Sequence, residues 1–165
     1  PLPTLHDGAV IATGPFEWRC LHTPGHAPGH VAFHEHRQGL LVSGDLVGPT
    51  LAWHSPSSGG AAGYLASLER LQALDLRVLL PSHGEPNLEP TSHITKMLKR
   101  LVDRESRLLD VLARGTRRYA SLYDEVNADP DHIRLFPLAP MLEGHLERLA
   151  ALGEIVEDDG VFSRT

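Results

Sequence analysis

Three histidines stand four residues apart in one short segment, and this spacing is the first sign of chemistry in the chain. The segment covers residues 22–30 and reads HTPGHAPGH. On a helix, side chains four residues apart share one face and could hold a metal ion together. Pro24 and Pro28 exclude a helix, because proline lacks an amide hydrogen and its ring clashes with the preceding turn. The segment is therefore predicted to be a loop that follows a strand over residues 16–21.

Two other segments place a potential metal ligand directly after an apolar stretch. Asp45 comes just after the apolar residues 40–43, and His83 just after residues 76–80. With His26 they give three strand ends that each carry one donor, and sites in layered α/β proteins gather beyond strand ends. Two imidazoles and a carboxylate suit zinc, manganese or iron. A histidine or aspartate at a strand end is also a common turn residue or cap, so the residues alone leave both interpretations open.

The elements around these residues follow an α/β pattern. Short strands are predicted over residues 9–13, 16–21, 31–36, 40–43 and 76–80, and an amphipathic helix over about 61–75. After residue 90 the pattern changes to helices over 91–113, 117–127 and 138–152, followed by a hairpin that turns at Asp159-Gly160. Three helices and a hairpin are the elements of a winged-helix-like module. The sequence therefore predicts two domains, an α/β domain over 1–90 and a helical, winged-helix-like domain over 91–165.

Composition narrows the class of protein. The chain has 165 residues, of which 41% are hydrophobic, and a formal net charge of −6. No apolar run approaches the roughly 20 residues that span a bilayer, so no membrane partner is predicted. The single cysteine, Cys20, excludes an internal disulfide framework and fits the reducing cytoplasm, where we expect the protein to be. The first residue is proline rather than methionine, which suggests a piece of a longer protein.

Taken in order, the motifs HTPGHAPGH, SGD and PSHG resemble the second half of a metallo-β-lactamase-fold hydrolase, and the chain as a whole looks most like the lactamase-beta-like subgroup. The resemblance implies a partial αββα sandwich over residues 1–90 and two zinc ions, with manganese or iron as alternatives. It implies that His26 binds the first metal and His83 the second. Asp45 would bridge both metals and would be the catalytic carboxylate.

Other residues near these motifs have supporting roles in this interpretation. His22 and His30 occupy positions that the family usually fills without binding metal, so we expect loop packing and hydrogen bonds to the ligands. Trp53 and His54 lie in the loop after Asp45, where contact with substrate competes with plain loop packing. Histidines without an identifiable partner, including His93 and His145, are expected at the surface.

The chain departs from the family at one point. The HxHxDH motif of the N-terminal half is absent, and the one HxH, at residues 34–36, lies after the TPGH motif and is not followed by DH. Three ligands shared over two ions cannot close a binuclear centre, since each ion needs about four donors. We therefore expect the chain to be the C-terminal part of a larger enzyme, lacking its N-terminal half, with apolar surface left uncovered and no catalysis of its own.

The substrate is open at this level, because fold does not choose among esters, thioesters, amides and phosphodiesters. Residues 96–118 carry eight Lys or Arg and three acids, which together with the winged-helix-like tail favours RNA, while thioesters remain the other favoured class. The helix over 138–152 carries Glu143 and Glu147 and is poorly suited to lie beside phosphates, so a homodimer contact is the other use of the tail. The alternative function is non-enzymatic: a winged-helix binding or interaction module with an incomplete metal site.

Overall fold

The computed structural model describes residues 5–128, 136 and 139–165. The first part holds four strands, β1 (Val10–Thr13), β2 (Phe16–His22), β3 (Val31–Glu35) and β4 (Leu40–Gly44), then α1 (Gly60–Gln72) and β5 (Val78–Pro81). The second part holds α2 (Pro90–Leu112), β6 (Arg117–Arg118), α3 (Tyr119–Val126), α4 (Ala139–Ala151), β7 (Ile155–Asp158) and β8 (Val161–Arg164). The mixed α/β class predicted from the sequence is confirmed, and the short strand β6 is an addition. The predicted start of the third helix, residue 138, lies outside the described residues.

The direction of the strands brings their ends together at one edge of the sheet. The five strands lie in the order β1-β2-β3-β4-β5, with antiparallel pairs up to β4 and a parallel pair between β4 and β5. It follows that β2, β4 and β5 all run in the same direction, because two antiparallel pairings separate β2 from β4. Their carboxyl ends therefore lie at the same edge, and α1 makes the crossover that a parallel pair requires. The segments containing His26, Asp45 and His83 begin at these three ends.

The two faces of the sheet differ in what covers them. Side chains alternate between faces along a strand, and one face packs on α1 and α2 to form the first core. That core contains Leu21, Ala32, Leu41, Leu79, Tyr64, Leu68, Ile94, Met97 and Leu101, among others. On the opposite face, Phe33, Val42 and Leu80 are neighbours across three strands. These side chains are half-buried and belong to neither core of the described residues.

A second core lies among the C-terminal elements. It contains Leu108, Leu112, Leu122, Leu142, Leu146, Leu149 and Ile155, among others. The predicted hairpin is present as β7 and β8, with Asp159 and Gly160 both at positive φ, the backbone of a tight two-residue hairpin turn. It forms a three-stranded sheet with β6, in the order β6-β8-β7. The winged-helix-like assignment stays a prediction.

The helix α2 joins the two cores. Its 23 residues contribute Ile94, Met97 and Leu101 to the first core, and Leu108 and Leu112 to the second. Neither α2 nor any other helix among the described residues is long and apolar enough to cross a membrane. The domain division at residue 90 stays a prediction, and it places all of α2 in the second domain although the helix serves both cores.

Candidate metal centre

Asp45 lies between two histidines that come from different strand ends. Nε2 of His26 is 3.7 Å from Oδ2 of Asp45, and Nε2 of His83 is 3.3 Å from Oδ1 of the same carboxylate. The amide of Ser82 donates to the carbonyl of Gly44 at 3.1 Å, which ties the residue before His83 to the residue before Asp45. The three residues predicted as ligands are therefore neighbours, one imidazole facing each carboxylate oxygen.

The Asp45 carboxylate has an oxygen that the protein does not satisfy. Oδ1 is buried and has no hydrogen-bond partner among the described residues, since the approach of His83 lacks hydrogen-bond geometry. A buried carboxylate oxygen without a donor is costly, and a cation is one group that removes this cost. No three His, Cys, Asp or Glu side chains in the described part of the chain surround a single point. The donors present are two imidazoles and one carboxylate, which are types that bind zinc, manganese or iron.

The orientation of His26 is set by a backbone carbonyl. Its Nδ1–H donates to the carbonyl oxygen of Trp53 at 3.0 Å, because a carbonyl can only accept. The proton is therefore on Nδ1, and the lone pair of Nε2 faces Asp45. Such a hydrogen bond on the other ring nitrogen is how proteins fix the tautomer and rotation of a metal-binding histidine.

The loop that carries His26 lies tightly against α1. Gly25 has φ +141°, and a Cβ at this position would lie 2.7 Å from Cα of Tyr64, so no larger residue fits. The amide of Gly25 donates to the carbonyl of Ser58 at 2.9 Å, and the Ser58 hydroxyl donates to the Gly25 carbonyl. The Ser67 hydroxyl donates to the carbonyl of Pro24 at 2.7 Å. The first Pro-Gly pair, Pro24-Gly25, thus allows a close approach of the loop backbone to α1.

The two flanking histidines hold this loop. Nε2–H of His22 donates to the carbonyl of Pro28 at 2.8 Å across the loop. Nδ1 of His30 is hydrogen-bonded to the Thr23 hydroxyl at 2.8 Å. Its Nε2 packs against Gly44 so closely that a Cβ on this glycine would lie 2.6 Å from it. Burial lowers the pKa of His30. Neither ring lines the cavity beside Asp45, so both occupy the packing positions expected from the sequence.

A cavity of about 380 Å³ opens beside Asp45. Its walls are His26, Gly44, Asp45, Gly48, Pro49, Thr50, Leu51, Ala52, Trp53 and His83. Tyr64 secures the loop that forms one wall, because its hydroxyl donates to the Leu46 carbonyl and accepts from the Ala52 amide, both at 3.0 Å. Burial raises the pKa of the Tyr64 phenol, so the hydroxyl keeps its proton. The volume falls in the range of small-molecule sites.

The decisive comparison is with protein-family models. Residues 1–83 match the model of the metallo-beta-lactamase superfamily. The matched segment is about half of the chain and includes His26, Asp45 and His83. The chain belongs to the metallo-β-lactamase superfamily.

Relatives in the superfamily are similar beyond the matched segment. An atrochrysone carboxyl ACP thioesterase, AgnL7 of Paecilomyces divaricatus, is 30% identical over 92% of this chain and 50% of its own length. An acyl-coenzyme A thioesterase, MBLAC2 of Gallus gallus, is 34% identical over 50% of this chain and 31% of its own. The crystal structure of the metallo-beta-lactamase family protein TTHA1429 from Thermus thermophilus superposes with a TM-score of 0.79 at 27% identity, covering 100% of this chain and 55% of that one. The chain thus spans about half the length of AgnL7 and of TTHA1429.

Two predictions about histidines were wrong. His145 was expected at the surface but is fully buried, facing Glu105 at 2.9 Å. His93 was also expected there, but it is half-buried, and its Nε2–H donates to the Gly48 carbonyl at 2.8 Å. Of the two substrate-loop candidates, Trp53 reaches the cavity wall with 40% of its surface exposed, whereas His54 is fully buried away from it.

The buried residues missed from the sequence had a detectable signal. His145 lies four residues from both Met141 and Leu149, on the apolar stripe of α4. Glu105 likewise lies four residues after Leu101 on the stripe of α2. A polar side chain on an apolar stripe is buried with the stripe and must find a partner there.

Proposed function

We propose that this chain is the part of a metal-dependent thioester hydrolase that contains His26, Asp45 and His83. The observation that carries the proposal is the Asp45 carboxylate, which has an imidazole at each oxygen and a buried oxygen without a donor. A carboxylate in that position is prepared to bind cations on both oxygens.

Each side chain has a separate role in this proposal. Nε2 of His26 would hold one ion, Nε2 of His83 the other, and Asp45 would hold both. Imidazole and carboxylate donors suit zinc, with manganese or iron as alternatives. Bound metal ions would lower the pKa of a coordinated water and polarise the carbonyl of the substrate. Trp53 fixes the direction of the His26 lone pair, and the wall formed by residues 48–53 would orient the substrate beside Asp45.

Further ligands would come from polypeptide outside this chain. Three donors do not fill the coordination of two ions, and the chain spans about half of AgnL7. The half-buried face that carries Phe33, Val42 and Leu80 is apolar and uncovered among the described residues. We propose that an N-terminal half covers this face and brings the remaining ligands to the same edge of the sheet.

A thioester is the substrate class that we favour. The names of AgnL7 and MBLAC2 both describe thioesterases, one for a carrier protein and one for acyl-coenzyme A. The wall of the cavity offers apolar side chains at Pro49, Leu51 and Trp53, which suit an acyl chain.

RNA is less favoured because acidic side chains occupy part of the basic segment. Arg114 and Arg117 both bind the carboxylate of Glu125, at 3.2 and 2.6 Å. Lys99 binds Asp103 at 2.7 Å. Cations already paired with carboxylates contribute less to phosphate binding, which depends on releasing counterions from phosphates.

The test uses the protein expressed from its complete coding sequence. Hydrolysis of an acyl-coenzyme A is measured by the free thiol that it releases. This activity should disappear on treatment with a chelator and return on addition of zinc. Asp45→Asn should abolish it, because the amide keeps the shape and loses the charge that binds cations. Asp103→Asn is the matched control, since this carboxylate is exposed and binds Lys99 on the surface of α2, and it should retain activity. Activity that survives both chelation and Asp45→Asn would refute the proposal, and cleavage of RNA without thioester hydrolysis would refute the substrate.

A further inference from the structure

A chain of buried polar side chains connects the C-terminal helices with the wall of the cavity. His145 of α4 is fully buried, and its Nδ1 is hydrogen-bonded to Oε1 of Glu105 in α2 at 2.9 Å. Arg148 donates to the other oxygen, Oε2. At the other end of the His145 ring, Nε2 lies 3.3 Å from Nε2 of His54, and the two form a hydrogen bond. We call Arg148, Glu105, His145 and His54 the buried polar chain.

The buried polar chain ends beside the carbonyl that orients His26. Nδ1–H of His54 donates to the Ala52 carbonyl at 3.0 Å, and the amide of Ala52 donates to the Tyr64 hydroxyl. The hydrogen bond between Nε2 of His54 and Nε2 of His145 joins this segment to α4. Between Ala52 and His54 stands Trp53, whose carbonyl accepts from His26. The three-residue segment is therefore fixed on both sides of the hydrogen bond that directs the lone pair of His26.

The helices α4 and α1 pack closely, so that α4 can hold the 52–54 segment in place through His145 and His54. A Cβ on Gly144 would lie 3.2 Å from the amide nitrogen of Ala61, so the two helices approach each other through a glycine. His145 follows Gly144 directly. The His145 ring thus enters from the tightest part of this helix pair and reaches His54 without intervening solvent.

A purely structural core would have no need of this arrangement. Burying an ion pair and two imidazoles carries a desolvation cost that apolar side chains of the same volume avoid. Hydrogen bonds at both ring nitrogens fix the rotation of a ring, and a fully satisfied buried network specifies one arrangement of the core. The polar groups therefore fix the orientation of the side chains that they bind. At the His54 end of the buried polar chain, the neighbouring side chain whose orientation matters for the proposed site is His26.

We infer that the C-terminal helices position the metal-binding His26, acting through the buried polar chain and the 52–54 segment. His145 is a positioning residue, since it touches neither the cavity nor the three residues around Asp45. The inference rests on the proposed metal role of His26. It extends the site into α2 and α4, beyond the residues matched by the superfamily model.

The experiment compares three substitutions in the protein expressed from its complete coding sequence. His145→Leu fills the position with an apolar side chain and removes the hydrogen bonds to Glu105 and His54. His145→Gln keeps an amide N–H that can donate to His54. Leu149→Ala, one turn further along α4, removes apolar contacts from the same core and none of the side chains of the buried polar chain. Nitrogen-15 NMR of the metal-free protein reports the tautomer of His26, and titration with Co²⁺ alone reports the affinity of the site.

His145→Leu should turn the single Nδ1–H tautomer of His26 into a mixture and weaken Co²⁺ binding by about tenfold, the lower end of the effect of losing support for a metal ligand. His145→Gln should restore the single tautomer and most of the affinity, and Leu149→Ala should change neither. The inference is overturned if His145→Leu leaves the His26 spectrum unchanged, or if Leu149→Ala alters it equally. His26→Ala tests the proposed function separately, because unchanged Co²⁺ binding in this variant would remove the metal role of His26. The His26 spectra of the wild type and of the His145 variants would still decide whether His145 positions the ring.

Discussion

The burial of His54 makes a quantitative prediction about acid stability. Burial lowers the pKa of His54 from 6.5 to about 4, with the bond to the Ala52 carbonyl opposing the change and the neighbouring His145 adding to it. A histidine with a lowered pKa takes up its proton more readily in the unfolded chain. The stability it contributes is therefore fully present above about pH 6.5 and is lost as the pH falls towards 4. One pKa unit corresponds to about 1.4 kcal/mol, so the loss across this window amounts to about 3 kcal/mol.

Such a loss is a large part of the roughly 5–15 kcal/mol that stabilises a typical domain. Urea unfolding at a series of pH values measures it, with His54→Asn as the variant. The asparagine amide can still donate to the Ala52 carbonyl, and it does not titrate. Its smaller volume lowers stability by an amount that is independent of pH. The free energy of unfolding of the wild type should fall more steeply than that of the variant, and their difference should narrow by about 3 kcal/mol over the window.

Burial lowers the pKa of other histidines too, and the comparison removes those that do not contact His54. Burial lowers the pKa of His30 as well, so that residue destabilises both proteins equally on acidification. Parallel curves for wild type and variant would show that His54 is not held neutral by burial. That result would refute the reasoning, because a ring free to take up a proton could not be part of a closed buried network.

Two further predictions concern the loops around Asp45. Tyr64→Phe removes the hydroxyl that satisfies one buried and one half-buried backbone group and should lower the free energy of unfolding by about 2–4 kcal/mol. Tyr119→Phe, whose hydroxyl donates to the half-buried carbonyl of Ala139, should cost about 1 kcal/mol. Equal effects in urea unfolding would contradict this. Gly25→Ala meets Tyr64 at 2.7 Å with φ +141° and should cost at least about 3 kcal/mol, against about 1 kcal/mol for Gly14→Ala, where φ is +58° and nothing lies within 4 Å. A Gly25→Ala protein as stable as Gly14→Ala would show that the loop can move away from the helix.

The ends of the strands were predictable from sequence, and with them the positions of the three central residues. The apolar runs that end at Gly44 and Pro81 are long enough to identify, and Pro24 excludes a helix at His26. What the sequence could not supply was the distance between the residues, which depends on the parallel pairing of β4 with β5. That pairing is a long-range contact made through α1, and periodicity reports only neighbours along the chain.

The buried polar chain was missed for a different reason. His145 and Glu105 lie 40 residues apart, and each on its own is a single polar residue on an apolar stripe. The stripe indicated burial, but nothing local indicated the partner. Treating a histidine without a visible partner as exposed was the error, because partners of buried polar groups lie anywhere in the chain.

The orientation of His26 shows why a motif identifies a ligand but not its support. The TPGH motif specifies the histidine, whereas its hydrogen-bond partner is the backbone carbonyl of Trp53, a group that every residue possesses. Sequence similarity at residue 53 therefore cannot measure whether that carbonyl is in place. Its place depends on the conformation of the backbone, which Tyr64 fixes from α1 and His54 fixes through contact with α4. The superfamily match ends at residue 83, but the hydrogen-bonded side chains that reach the 52–54 segment extend to residue 148. Substitutions in α4 that break the buried polar chain should for this reason weaken metal binding at the proposed site although they lie outside the matched segment. Two chains with identical motifs can then differ in metal affinity when one of them lacks these buried polar side chains.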